Sequence, residues 1–71
     1  MDATYAIRYT TGEEERISFE IPDDVHPNSL AAAQAAIIAA EQDGRTVLEL
    51  HSCAGPLADS DYWTSRAAIT D

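Results

Sequence analysis

Ala3-Thr4-Tyr5-Ala6-Ile7-Arg8-Tyr9-Thr10, then Thr11-Gly12-Glu13-Glu14, then Glu15-Arg16-Ile17-Ser18-Phe19-Glu20-Ile21: this stretch decides the fold. Tyr5, Ile7 and Tyr9 alternate with Thr4, Ala6, Arg8 and Thr10, so one edge of the run is apolar and the other polar. Period-two alternation of β-branched and aromatic residues is the pattern of a half-buried strand. Ile17, Phe19 and Ile21 alternate in the same way with Arg16, Ser18 and Glu20. Gly12, between the two runs, supplies the positive φ that a tight turn needs, so the pair reads as an antiparallel hairpin. Pro22 ends the second strand because it has no N–H for the ladder.

Outward from the hairpin, Asp23-Asp24-Val25-His26-Pro27-Asn28-Ser29 reads as a loop entering a helix, with Asn28 or Ser29 as its cap. The two aspartates fall near the positive end of the helix dipole. Leu30 to Gln42 is almost all strong helix formers, and Leu30, Ala33, Ile37 and Ile38 form the expected core-facing stripe. Gly44 is the expected residue just past the helix end. Thr46 to Ser52 reads as a third strand, with Leu48 and Leu50 toward the helix and Val47, Glu49 and His51 away from it. Ala54-Gly55-Pro56 breaks that strand. Tyr62 to Ile69 reads as a fourth strand, with Trp63, Ser65, Ala67 and Ile69 on one side; an irregular tail pinned by Trp63 is the alternative.

The order β-β-α-β(-β) predicts an α+β fold: two layers, one helix packed on a small, mainly antiparallel sheet. Its expected core is Tyr5, Ile7, Tyr9, Ile17, Phe19, Ile21, Leu30, Ile37, Ile38, Leu48, Leu50 and Trp63. Seventy-one residues make one acidic domain, 1–71, and a chain of this size buries only about 60% of its unfolded surface. So small a core often relies on a disulfide, a metal or a partner. Cys53 is the only cysteine, so no internal disulfide forms. A lone cysteine and the lack of a basic region followed by an apolar run point to a cytoplasmic protein without a secretory signal. The Ala-rich run is too short to span a bilayer.

Charge is the strongest functional signal. Thirteen Asp and Glu stand against four Arg, with no Lys, for a formal net charge of −9. Such an imbalance repels nucleic acids and anionic membranes and attracts basic protein surfaces. The acids cluster as Glu13-Glu14-Glu15, Asp23-Asp24, Glu41 with Asp43, and Asp59 with Asp61. DNA carries one charge per ≈ 1.7 Å of axis, so a protein that imitates it must crowd carboxylates on one side. The competing reading is general solubility. Neighbours along a strand point to opposite faces, so crowding in sequence does not by itself make one surface.

Motifs of chemistry are sparse. His51 and Cys53 form an H-x-C pair, but a zinc site needs four ligands, usually as two close pairs, and no second pair has that spacing. Activating Cys53 as a nucleophile would need a placed base and a positive surrounding. The carboxylates lack the apolar context that raises a pKa for acid/base work, and Gly12, Gly44 and Gly55 are too isolated for a phosphate loop. No catalytic residue, metal or cofactor is therefore expected.

In overall character the chain resembles the small acidic inhibitors of bacteriophages and mobile elements, including anti-CRISPR proteins. The residues that carry the resemblance are Glu13, Glu14, Glu15, Asp23, Asp24, Asp59 and Asp61 on a β-β-α-β chain. The resemblance covers the whole length and involves no diagnostic motif. It implies a non-enzymatic inhibitor that docks those seven carboxylates on a basic surface of a bacterial defence complex, such as a CRISPR effector subunit, and blocks DNA binding. A second expectation is a small structural or regulatory domain. It would homodimerise through a sheet edge or through the smooth strip Ala31, Ala35 and Ala39 of the helix.

Overall fold

The computed structural model describes residues 1–53 and 63–70. Strands β1 (Asp2–Tyr9) and β2 (Glu14–Glu20) form the expected hairpin. Tyr9 N–H donates to Glu13 O at 2.8 Å and Gly12 N–H to Tyr9 O at 3.0 Å, with Gly12 at φ +93°. Only glycine adopts that backbone without a Cβ penalty. The loop after β2 leads into helix α1 (Leu30–Ala40), and Ser29 is its cap: the hydroxyl accepts from Ala32 N–H at 3.2 Å. The last turn tightens into a 3-10 turn, Glu41–Asp43, before Gly44 at φ +91°. The chain continues into β3 (Val47–Ser52), and further on into β4 (Thr64–Ser65) and the short helix α2 (Arg66–Thr70).

The sheet order is β2-β1-β3-β4, every neighbouring pair antiparallel. β2 and β3 both run against β1, so they run parallel to each other, and α1 crosses over β1 between them. The α+β two-layer architecture is as the sequence predicts. Two tyrosines of β1 fix the ends of that crossover. Tyr5 donates its hydroxyl to Pro27 O, ahead of the helix, at 2.8 Å. Tyr9 lies under the helix C-terminus, its hydroxyl 3.4 Å from Ala40 O.

The core lies between the sheet and α1: Ala3, Tyr5, Ile7, Tyr9, Ile21, Val47, Leu50 and Ile69 meet Ala32, Ala33, Ala36, Ile37 and Ala40. Ile17 and Phe19, on the outermost strand, are half-buried against it. Two large tyrosines on β1 fill the space between the layers, so the helix presents small alanines to them, as dense packing requires. Ala33 and Ile37 of the expected stripe are in the core, but its other two members are not: Leu30 is 59% and Ile38 65% exposed, and both face solvent.

Strand β3 corrects a second expectation. Arg8 pairs with Glu49 but Tyr9 with Val47, so Leu48 is an extra residue in a β-bulge. The bulge turns Val47 into the core beside Leu50 and leaves Leu48 49% exposed. The fourth strand is the third correction. It covers Thr64 and Ser65 alone, and Arg66 starts a helix that brings Ile69 onto the core. Ser65 and Ala67 are exposed, and Tyr62 lies outside the described residues. Gln34 Nε2 donates to Ile69 O at 3.2 Å and ties α2 to α1. Trp63 is half-buried, but on the sheet face away from α1, so it is not a member of the helix-side core.

Candidate functional site

The hairpin tip shows what a run of acids becomes in three dimensions. Glu14 is an outer-face residue and receives Arg8 Nη2 at 3.0 Å. Glu13 and Glu15 turn instead to Arg45, at 3.2 and 2.8 Å. Arg45 arrives from beyond the helix and also pairs with Asp43 at 2.7 Å. Its guanidinium lies 3.9 Å above the Tyr9 ring, a cation–π arrangement. Tyr9 in turn donates its hydroxyl to Glu15. Burial, and then the Glu15 carboxylate, push the Tyr9 phenol up to about 12. Arg45 holds Asp43 below the usual carboxylate range through its hydrogen bond. Glu13, Glu14 and Glu15 thus do not share a face, and each has an arginine partner.

Glu41 is likewise a structural acid. Its carboxylate accepts both Arg66 Nε and Nη2 at 3.0 Å, and Val47 N–H at 2.8 Å. It joins the end of α1 to the starts of β3 and α2. The Arg66 hydrogen bonds lower its pKa, against a smaller opposing effect of burial.

The outer sheet face is a polar layer organised by Trp63. Arg8 lies 4.1 Å above the indole, with Glu49 and Glu14 on its guanidinium. His51 meets the ring edge-on at 4.6 Å. Its Nδ1 lies 3.1 Å from Ser52 O. Thr4 and Ser18 hydrogen-bond across β1 and β2 at 2.8 Å. Ala6, Glu14, Arg16, His51 and Trp63 line an open, shallow depression here. Nothing in the sequence announced the Arg8–Trp63 stack. The signal available was an arginine on the outer face of β1 and an aromatic at the start of the last element, and only the fold puts them together.

The remaining candidates lie at the opposite end of the hairpin. Asp2 and Glu20 are direct cross-strand neighbours, an unfavourable like-charge pair. Asp23 and Asp24 follow immediately, both exposed. The Met1 ammonium lies 3.5 Å from Asp23 Oδ1. Among the described residues no arginine contacts Asp2, Glu20, Asp23 or Asp24. Asp59 and Asp61 lie outside the described residues.

The thiol-imidazole pair gains no support from position. Cys53 is half-buried, and its N–H donates to Thr4 O at 2.9 Å, while the His51 ring is turned to Trp63. His26 Nδ1 accepts Asn28 N–H at 3.0 Å, a loop contact. Among the described residues no three His, Cys, Asp or Glu come together as a metal site, and no helix is long and apolar enough to cross a membrane. No protein-family model, curated protein or solved structure matches the chain.

Proposed function

We propose that the protein is a non-enzymatic interaction module. In this reading it docks an acidic surface on a basic, nucleic-acid-binding surface of another protein, such as a bacterial defence effector, and competes with DNA for it. The observation that carries the reading is the crowding of Asp2, Glu20, Asp23 and Asp24 at one end of the sheet, away from the arginines, on a chain of net charge −9. Like charges held together with the Met1 ammonium as their one cationic contact among the described residues are unfavourable, and a cationic partner relieves them. The hairpin-tip acids serve the reading less well, because Arg8 and Arg45 already engage them.

The test is competition between the protein and labelled DNA for a CRISPR effector, followed by fluorescence anisotropy over a range of salt. Asp23→Lys/Asp24→Lys is expected to weaken competition by about tenfold and to flatten its salt dependence. Unchanged competition by that variant sinks this surface, and no competition by the natural chain sinks the choice of an effector as partner.

A second reading, self-association through α1, rests on Ile38 and Leu30, which sit exposed beside Ala31 and Ala35. A dimer in sedimentation that Ile38→Glu dissolves favours it over the first.

A further inference from the structure

The backbone of β2 has a direction that its side chains alone do not reveal. Ile21 N–H donates to Met1 O at 2.8 Å, and Tyr9 N–H donates to Glu13 O at 2.8 Å. These contacts mark the hydrogen-bonded pairs of the ladder, which in this register alternate at every second residue: Ala3 with Phe19, Tyr5 with Ile17, Ile7 with Glu15. The residues between them, Glu14, Arg16, Ser18 and Glu20, therefore aim their N–H and C=O groups away from β1. β2 is the outermost strand on that side of the sheet. Among the described residues, no partner meets the outward backbone groups of Glu14, Ser18 or Glu20.

An open edge of this kind is a template for one more strand. Its side chains select what can pair. On the outer face an incoming strand lies across Glu14, Arg16, Ser18 and Glu20; on the helix face it lies across Glu15, Ile17 and Phe19. Glu20 already faces Asp2, so a cation opposite Glu20 relieves a repulsion inside the sheet. Ile17 and Phe19 are half-buried, and an apolar neighbour covers their remaining surface. A second copy suits the edge poorly. Antiparallel self-pairing over the full strand sets Glu14 against Glu20 at both ends. A shift that pairs Arg16 with Glu20 shortens the overlap, and two chains of −9 repel each other in either case.

We propose that the β2 edge binds an extended basic segment of a partner protein as a fifth strand, with a cation at Glu20 and apolar side chains over Ile17 and Phe19. The inference rests on the acidic-interaction reading and adds to it a mode of binding. Carboxylates along an edge turn away neutral and acidic strands, so the same residues that protect the sheet from aggregation choose its partner.

The probe is a capped peptide, Lys-Val-Thr-Val-Thr-Val-Lys, with Lys-Val-Pro-Val-Pro-Val-Lys as an equally charged control that lacks the N–H groups opposite Arg16 and Ser18. Binding is followed by amide chemical shifts of the full chain. The expected result is saturable binding of the first peptide at least tenfold tighter than the control, with the largest shifts at Glu14, Arg16, Ser18 and Glu20. Ser18→Pro removes an outward N–H and spares the β1 ladder, and is expected to lower affinity at least tenfold. Ser18→Ala keeps the N–H and is expected to bind like the natural chain, which separates the backbone contact from the Thr4 hydroxyl bond. Equal binding of both peptides, with Ser18→Pro unchanged and Asp23→Lys/Asp24→Lys weakened, overturns the edge and leaves the acidic surface standing. Failure of the first peptide to bind at millimolar concentration overturns the edge alone, because competition for the effector judges the acidic surface separately. A concentration-dependent dimer that shifts the β2 amides without peptide overturns the inference in favour of a second copy.

Discussion

The two ends of the β1–β2 hairpin are both acidic, and they use their acids differently. At the turn, Glu13 and Glu15 converge on Arg45 while Glu14 meets Arg8. At the open end, Asp2, Glu20, Asp23 and Asp24 have the Met1 ammonium nearby and, among the described residues, no arginine contact. The number of carboxylates is similar; the placement of arginines is not. Arg45 lies 30 residues along the chain from Glu15 and reaches it only because α1 returns the chain over the sheet. Acids at the turn therefore pair within the fold, and acids at the open end meet no arginine among the described residues. A cluster of negative residues in a sequence does not reveal which of these it is.

The comparison breaks most visibly at Tyr9, which supports the turn end from below. It is fully buried, carries Arg45 on its ring and Glu15 on its hydroxyl. Tyr9→Ala is expected to cost about 3–5 kcal/mol, the range for deleting a buried aromatic ring, read as the loss of stability in urea unfolding. In a chain of this size that is enough to unfold most molecules. A loss under about 1 kcal/mol, on the scale of one hydrogen bond, would mean that the turn-end cluster is decoration.

A smaller effect comes from pH. The Tyr9 phenol is raised from 10.0 to about 12 in the fold, so the folded chain keeps a proton that the unfolded chain releases. Its contribution is complete below pH 10.0 and is lost as pH rises toward about 12. Tyr5 is raised as well, chiefly by burial, and adds to the same alkaline loss. Tyr9→Phe is expected to lower stability at neutral pH by about 1 kcal/mol and to leave a shallower fall above pH 10. An unaltered alkaline profile in that variant assigns the fall elsewhere. On the acid side the sign reverses: Glu41 and Asp43 are lowered, so their contribution is present above their ordinary pKa values and fades as pH drops below them.

The smallest expected effect sharpens the contrast. Asp23→Lys/Asp24→Lys should change stability by less than about 0.5 kcal/mol, because the side chains are exposed and bear little of the fold. The same variant is the one expected to impair partner binding. A large loss of stability would show that the open end, too, is built into the fold.

Much of the architecture was legible in residue order. Alternation at Tyr5, Ile7 and Tyr9 and at Ile17, Phe19 and Ile21 marked the two strands, Gly12 the turn, and Asn28 or Ser29 and Gly44 the ends of the helical region, because each is a local requirement of backbone geometry. The facing of α1 was legible only in part: Ala33 and Ile37 are buried as the stripe predicts, and Leu30 and Ile38 are not. Its residues are apolar nearly all round, so periodicity supplies no preferred side, and the tyrosines beneath select the alanines. The bulge at Leu48 was not legible, since alternation assumes an unbroken ladder and one extra residue reverses every face before it. Tyr62 to Ile69 read as a strand; Thr64 and Ser65 are one, and from Arg66 onward the chain is a helix that docks Ile69 on the core. Of the candidate site, the chemistry was legible and the grouping was not. Glu14 is a sequence neighbour of Glu13 and Glu15 that separates from them in space, while Asp2 and Glu20 are distant in sequence and adjacent in the sheet.

By itself the sequence determined the layer type, the hairpin, the caps and the sign of the molecule's field, because these follow from backbone chemistry within a few residues and from summed charge. Tertiary structure alone decided that Leu30 and Ile38 of α1 stay outside the core, which carboxylates meet an arginine and which strands lie at the edges of the sheet. Each of those depends on a contact between residues far apart in the chain, where packing density and charge pairing outweigh local preference.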